Sequence, residues 1–293
     1  MKKSIILPAK NESLGLAKVL PELRQRFPDA ELIVVDDGST DNTIEIVSQY
    51  VDRLVRHPYS KGNGAAIKSG ARVATGDLLV FMDADGQHQP ADVARLLAEL
   101  ADKQLDMVVG ARGMASQASL HRGLANVFYN RFASWVAGHR IHDLTSGMRA
   151  VRARLFCEFL PLLPNGFSYP TTITMCFFRA GYSVGYLPIV APPRLGKSHV
   201  KIWRDGLRFL LIIFKIGTLF SPLKLFAPIA LAFFLTGLGY YGYTYTTVGR
   251  FTNMSGLLFS NSVLIFLFGL VAEQITSLMY LRSAEQHQET KHE

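Results

Sequence analysis

Leu78-Leu79-Val80-Phe81-Met82-Asp83-Ala84-Asp85-Gly86-Gln87 decides how the chain reads. Five apolar residues end abruptly in two carboxylates, the pattern of a buried strand that empties into a functional loop. In an extended segment residues i and i+2 face the same way, so Asp83 and Asp85 can point into one cleft. Two hard oxygen anions at that spacing suit Mg²⁺ or Mn²⁺ bound together with a diphosphate. A polar loop with one carboxylate capping a helix near Pro90-Ala91-Asp92 accounts for the same residues without chemistry.

The pattern recurs on both sides of that run. Short β-branched stretches at 4–7, 32–35, 78–82 and 107–109 alternate with longer amphipathic ones at 13–27, 41–51, 64–74 and 91–101. Such alternation predicts an α/β fold with a Rossmann-like, mainly parallel sheet. Ligands of such sheets sit beyond the carboxyl ends of the strands, and the polar clusters 8–12, 36–41 and 83–87 and Arg112 fall there. In Val35-Asp36-Asp37-Gly38-Ser39-Thr40-Asp41, Asp41 is a natural helix N-cap, which leaves Asp36 and Asp37 unexplained by capping. A carboxylate there can accept hydrogen bonds from a base N–H or from ribose hydroxyls. Lys61-Gly62-Asn63-Gly64 opens a helix with a cation and small residues, and its N–H groups suit a phosphate or a carboxylate neighbour. Ile67 stands where the third glycine of a dinucleotide fingerprint belongs, so no nicotinamide site is expected.

Composition narrows the class. With 49% hydrophobic and 18% charged residues, disorder and collagen-like repeats are excluded. Cys157 and Cys176 cannot build a disulfide framework and read as small hydrophobes in a reducing cytosol. A net charge of +8 asks for an anionic partner, yet nucleic acid explains only the charge and not the apolar excess. That excess is concentrated. No charged residue lies between 225 and 249 or between 251 and 272, and each stretch exceeds the ~20 residues that cross a hydrocarbon core. Transmembrane helices are therefore expected over 223–247 and 256–281.

Arg204, Arg208, Lys215 and Lys224 precede the first span and only Arg250 separates the two, which places both termini in the cytosol. The N-terminal apolar run stops at Pro8, too short for a signal peptide. Trp203 to Lys215 mixes aromatic, aliphatic and basic residues, as a helix lying in a membrane interface does. The expected organisation is a cytosolic α/β domain over 1–200, a juxtamembrane amphipathic region over 201–222, a two-helix hairpin over 223–282 and a cytosolic tail over 283–293.

Pro8-Ala9-Lys10-Asn11-Glu12, the 35–41 and 61–64 segments, Asp83 to Gln87, Gly110-Ala111-Arg112 and Asp143-Leu144-Thr145-Ser146-Gly147-Met148-Arg149 occur in that order. In this ordered set the chain resembles the family 2 glycosyltransferases of GT-A fold. The branch it resembles is that of dolichol-phosphate mannose synthase and bacterial polyprenyl-phosphate glycosyltransferases, and the resemblance covers nearly the whole chain. It implies that Pro8, Lys10, Glu12, Val35, Asp37 and Lys61 belong to the donor nucleotide site. Asp83, Ala84 and Asp85 match its diphosphate site, with Asp85 and Gln87 as ligands of Mg²⁺ or Mn²⁺. Arg112 and Arg122 match cations near the phosphates and the transferred sugar. Asp143 matches a catalytic acidic residue facing the reacting centre, and Arg194, Lys197, Ser198 and Lys201 match the acceptor-phosphate site. Lys10 stands where many relatives carry an aromatic residue, and His199 where they carry lysine. Glu273 matches a glutamate of the family's last helix.

The implied reaction is inverting transfer of one sugar from a UDP- or GDP-sugar to a polyprenyl phosphate such as undecaprenyl or dolichyl phosphate, at the bacterial inner membrane. The leaving diphosphate develops charge, which a metal on Asp85 and Gln87, with Arg112 or Arg122, would offset. The acceptor phosphate is already anionic, so Asp143 is expected to orient a group rather than abstract a proton. Another lipid or glycan acceptor is the alternative. A non-catalytic nucleotide-binding membrane protein has no use for the Asp83/Asp85 pair. No nucleic-acid partner is expected, and homo-oligomerisation stays open.

Overall fold

The computed structural model describes residues 1–112, 120–166, 169–190, 211, 214, 215, 217, 218 and 221–289, with backbone alone at 120–126 and 279–289. The chain divides into two compact units, Met1–Leu210 and Leu211–Glu293. Among the described residues of the first, seven strands form one sheet: β1 (Lys3–Ala9), β2 (Glu31–Asp36), β3 (Arg53–Arg56), β4 (Leu78–Phe81), β5 (Met107–Arg112), β6 (Arg149–Arg152) and β7 (Val184–Ile189). Their order is β3-β2-β1-β4-β6-β5-β7. Only β6 runs antiparallel to its neighbours, β4 and β5. The sheet is mainly parallel, as the alternation predicts.

The helices between them are α1 (Ser13–Arg26), α2 (Thr43–Val47), α3 (Asn63–Val73), α4 (Pro90–Asp102), α5 (Leu120–Ala137), α6 (Ala153–Glu158) and α7 (Tyr169–Arg179). In α1 the buried Leu16, Val19, Leu20 and Leu23 recur at helical spacing, and Val93, Leu96, Leu97 and Leu100 do so in α4. Both stripes pack onto the fully buried Ile5, Leu7, Leu32, Val34 and Val80 in one core. Register then aligns the site: Ala9 pairs with Asp36 and Ile6 with Phe81, so the carboxyl ends of three parallel strands lie side by side. Phe81 and Val109 both pair with Arg149, which brings the end of β5 to the same edge.

The sequence predicts a helix over 41–51, but α2 spans five residues. The chain leaves the helix because the Asp52 carboxylate accepts from the Leu32 N–H and pairs with Arg24, both at 2.8 Å. That draws the following residues onto β2 as β3. Asp41 does act as a cap, accepting from the Thr43 N–H at 3.1 Å.

In the second unit α8 (Pro222–Val248) and α9 (Asn253–Glu289) form an antiparallel hairpin. Mean hydropathy is 1.6 for Pro222–Val248 and 2.0 for Asn253–Leu278. Both helices are long enough to cross a bilayer, and only 17% of each apolar window is buried, whereas the core helix of a soluble protein would be mostly buried. Small residues allow close approach: a Cβ on Gly269 would lie 2.8 Å from the Phe226 Cβ, and Ser262 Oγ donates to the Ala230 carbonyl at 2.8 Å. Gly249, at φ +69°, ends α8 in the left-handed region. Glu273 on α9 accepts from the Leu223 N–H at 3.2 Å, so it caps the first turn of α8. Most of the amphipathic region expected over 201–222 lies outside the described residues.

Candidate active site

Beyond β4 the chain turns at Ala84 and Asp85, with Gly86 at φ +77°. Asp85 Oδ1 accepts from the Gln87 N–H at 3.1 Å. The Asp83 side chain is 35% exposed. His88 Nδ1 lies 3.9 Å from Asp83 Oδ2, but it accepts the Asp83 N–H at 3.2 Å and so carries no proton for the carboxylate. Two glycines let backbone close around this turn. A Cβ on Gly15 would meet the Ala84 carbonyl oxygen at 2.2 Å, and one on Gly147 would meet Asp83 Oδ2 at 2.4 Å. Ala84 is buried, so the two aspartates are the polar groups that the turn presents.

Arg112 closes the site from the end of β5. Its Nε donates to Asp143 Oδ2 at 2.9 Å, and its Nη2 to Asp143 Oδ1 at 3.2 Å and Thr145 Oγ1 at 2.7 Å. Burial opposes the Arg112 charge, yet Asp143, then Asp83 and Asp85, hold its pKa above the ordinary arginine value. The guanidinium therefore feels both carboxylates of the turn, which places all of these charges around one region. Asp143 is 5% exposed and also accepts from the Thr145 and Ser146 N–H groups at 3.0 and 3.1 Å. Burial alone would raise its pKa; Arg112 and these N–H groups bring it below the usual carboxylate range. Asp143, expected as a group facing the reacting centre, is paired with Arg112, and its oxygens are engaged by these protein donors.

At the end of β2 the outcome differs again. Asp37 Oδ1 accepts from the Lys61 N–H at 2.8 Å and meets His57 Nδ1 at 2.7 Å. Its Oδ2 accepts from Ser60 Oγ at 2.7 Å and the Gly62 N–H at 2.9 Å. Burial would raise its pKa, but these partners, His57 foremost, lower it. The carboxylate neighbour allowed for the 61–64 segment is thus Asp37 itself. The phosphate reading of that helix start fails: the Gly64 and Ala65 N–H groups go to the Gly166 and Asn165 carbonyls at 3.2 and 3.0 Å. Gly62 and Gly64 serve close packing, since a Cβ on either would lie within 2.5 Å of a carbonyl oxygen of 164–166. Lys61 keeps an exposed ammonium 5.7 Å from the Tyr59 ring.

The floor of the site is a residue whose role the sequence does not announce. Arg149 is fully buried, and its guanidinium donates to the Pro170 carbonyl at 3.2 Å, to Thr174 Oγ1 at 3.3 Å and to the Ser146 carbonyl. Tyr169, under that guanidinium, donates to the Gly147 carbonyl at 3.2 Å. Together they fix the 146–147 backbone against which Asp83 rests. His57 and Gly15 carry no mark in the sequence, whereas Gly147 and Arg149 lie in the Asp143–Arg149 motif, which names no role for either. Of the other expected residues, Pro8 and Val35 are buried at the ends of β1 and β2, Lys10 is exposed and Glu12 half-buried. Asn11, at φ +55°, joins that loop to the next: its Oδ1 accepts from the Thr40 N–H at 2.8 Å. Arg122 lies on α5, with its side chain outside the described residues, and Arg194, Lys197, Ser198 and Lys201 also lie outside them.

Asp83 and Asp85 suit a hard divalent cation in donor chemistry. Among the described residues no group of three or more His, Cys, Asp or Glu side chains gathers.

Comparison with known proteins fits this geometry. The Glycosyl transferase family 2 profile matches residues 4–159, and the GtrB C-terminal hairpin profile matches residues 221–278. The polyprenol monophosphomannose synthase of Mycolicibacterium smegmatis is 31% identical over 212 residues, which cover 67% of this chain and 80% of that protein. The undecaprenyl-phosphate 4-deoxy-4-formamido-L-arabinose transferase of Photorhabdus laumondii is 33% identical over 189 residues, 58% of each chain. Glucosyl-3-phosphoglycerate synthase from Mycobacterium tuberculosis, solved with Mn²⁺, uridine diphosphate and phosphoglyceric acid, shares the fold at a TM-score of 0.61 and 19% identity, over 74% of this chain and 78% of that one. With its strand-end aspartates, its paired Arg112 and Asp143 and more than half of its length under the family profile, the chain belongs to glycosyl transferase family 2.

Proposed function

We propose that this glycosyltransferase moves one sugar from a nucleotide-diphosphate sugar to a polyprenyl phosphate at the cytosolic face of a bacterial inner membrane. The observation that carries the reading is the open strand end at Asp83 and Asp85, facing Arg112, in a chain that closes with an apolar hairpin. The named polyprenyl-phosphate relatives support the acceptor class.

In this reading Asp85 and Gln87 would hold Mg²⁺ or Mn²⁺, with Asp83 and Ala84 at the donor diphosphate. The metal supplies charge stabilisation for the leaving nucleoside diphosphate when bound. Arg112 adds a fixed positive charge beside those phosphates, and Asp143 and Thr145 set its direction before substrate arrives. Pre-alignment matters because a donor group already in place costs no reorganisation during the reaction. The acceptor phosphate attacks as an anion, so no protein base needs to remove a proton, and the saturated Asp143 is compatible with that. Pro8, Lys10, Glu12 and Val35 form the nucleoside side, with Asp37 shaping the loop beneath Lys61. Arg122 serves the phosphates or the sugar, and Arg194, Lys197, Ser198 and Lys201 serve the acceptor phosphate.

The test is direct. Purified protein with Mg²⁺ or Mn²⁺, a polyprenyl phosphate and a panel of UDP- and GDP-sugars should yield a glycosyl-phosphate lipid. Transfer to a non-phosphorylated lipid or a glycan instead would replace the acceptor class. Orientation has its own check: in a Cys157→Ser background, a cysteine at Asn253 should react with an impermeant thiol reagent from outside the cell, and one at Ser283 should not. The reverse labelling would overturn the cytosolic donor site.

A further inference from the structure

Arg149 carries a charge that its own contacts do not require. It is fully buried, and the partners its guanidinium reaches, two carbonyls and a hydroxyl, are all neutral. Among the described residues its Nε has no hydrogen-bond partner. An ion without a counter-ion is expensive in a protein interior, whereas a neutral side chain in its place is not. Carbonyls need only a donor, which an uncharged amide also supplies. A guanidinium keeps its proton even when buried, so the fold maintains a positive charge behind the site.

Its place shows what that charge acts on. Arg149 opens β6 between the two strands that carry the site, pairing with Phe81 of β4 and Val109 of β5. Ser146 gives its carbonyl to Arg149 and its N–H to Asp143, so a single residue lies between that cation and a buried anion. Gly147, next along, faces both Asp83 oxygens. Burial lowers the Arg149 pKa, with Asp143 and Asp83 among the groups that oppose it. Asp143 is already doubly bonded to Arg112, which leaves the field of Arg149 to the turn at 83–85. The protein between them excludes water and screens that field weakly.

We propose that Arg149 is a positioning residue whose charge makes metal and donor bind together. It repels a bare divalent cation from the turn at Asp83 and Asp85 and attracts the donor diphosphate to the same place. A cation that arrives with the diphosphate escapes the repulsion, because the anion cancels its charge. The inference rests on the donor site proposed above. An Arg149 that only clamps the Ser146 and Pro170 carbonyls has a different consequence, since losing the clamp would loosen the floor and weaken both ligands.

The experiment titrates the full chain in detergent with two probes separately, Mn²⁺ alone and UDP or GDP in EDTA. Arg149→Gln keeps a donor for the carbonyls and removes the charge, and Arg149→Lys keeps the charge. In Arg149→Gln the Mn²⁺ affinity should rise and the metal-free diphosphate affinity should fall, each by roughly threefold to tenfold. Arg149→Lys should hold both near the wild-type values. Affinities that fall together, affinities that do not move, or an Arg149→Lys variant that matches Arg149→Gln would each overturn the proposal. So would a failure of Arg149→Gln and Arg149→Met alike to fold, which would make the charge a part of the scaffold. Sugar transfer is not read, so the two failures separate. A wild-type chain that binds neither UDP nor GDP overturns the donor site and this inference with it, whereas wild-type binding with unmoved variants overturns this inference alone.

Discussion

At the end of β2 the Asp37 carboxylate meets four partners and its side chain is 6% exposed; at the end of β4 the Asp83 side chain is 35% exposed. Among the described residues no side chain donates a hydrogen bond to Asp83. Each aspartate follows an apolar strand in the same sheet and lies within an acidic loop. The difference is what the next loop brings. After β3 the chain delivers His57, Ser60 and two N–H groups to Asp37, which consume its lone pairs. Around Asp83 it delivers Gly147, a residue without a side chain. A carboxylate filled by its own protein is scaffolding, and one faced by a glycine is left for a ligand.

The most damaging change should be Asp85→Ala. Losing a metal's charge stabilisation costs several kcal/mol of barrier, so turnover should fall by a factor of about 10³ or more with little loss of fold. Near-normal activity in that variant, or in excess EDTA, would make the two strand ends equivalent after all.

Asp37→Ala should do the opposite and act on stability first. It strands a buried imidazole, a hydroxyl and two N–H groups, at a cost of about 3 kcal/mol, or roughly 10 °C in melting temperature. An unchanged melting temperature with lost donor affinity would return Asp37 to the ligand.

Gly147→Ala sharpens the contrast. Its Cβ would displace the Asp83 carboxylate, which can swing, rather than a backbone. Activity should fall about tenfold to a hundredfold, ~2 kcal/mol of barrier, with only a small change in melting temperature. A collapse of stability instead would show that Asp83 is packed rather than poised.

The smallest effect is with acid. Glu31, Asp37, Asp41, Asp52 and Asp143 all have pKa values lowered in the fold. Each binds its proton less tightly folded than unfolded, so its stabilisation is complete above about pH 5 and is lost as pH falls through the unfolded value and on through the folded one. Melting temperature should be nearly flat from about pH 7 to pH 5 and then drop. A steady decline across that upper range would point to a different titrating group.

Much of this was legible from residue types. β1, β2, β4 and β5 are continuous apolar runs because both of their faces are covered, and runs of that kind announce themselves. The strands that escaped notice each carry a disguise. β3 is Arg53-Leu54-Val55-Arg56, short and charged because it is a sheet edge; β7 contains Gly185 and Pro188, which an edge tolerates. β6 begins and ends in arginine and runs antiparallel, so neither its composition nor its direction fits the repeating unit. Helix α7 is buried along its whole length and has no polar face to reveal a period. In the site, the sequence identifies acidic residues but not their neighbours. Asp37 and Asp83 differ by contacts with residues 57–62 and 147, and such distances arise only when the sheet assembles.

The bond between Glu273 and the first turn of α8 works as a key in a lock. It joins the start of one apolar helix to a point near the end of the other, while Ser262 and Gly269 engage partners further along. Sliding α9 by one turn, about 5.4 Å, would carry a carboxylate away from its N–H donor and toward hydrocarbon, where an isolated charge is expensive. The two helices therefore have one preferred register, and a membrane that thickens or thins must tilt the pair as a single body instead of shearing one rod past the other.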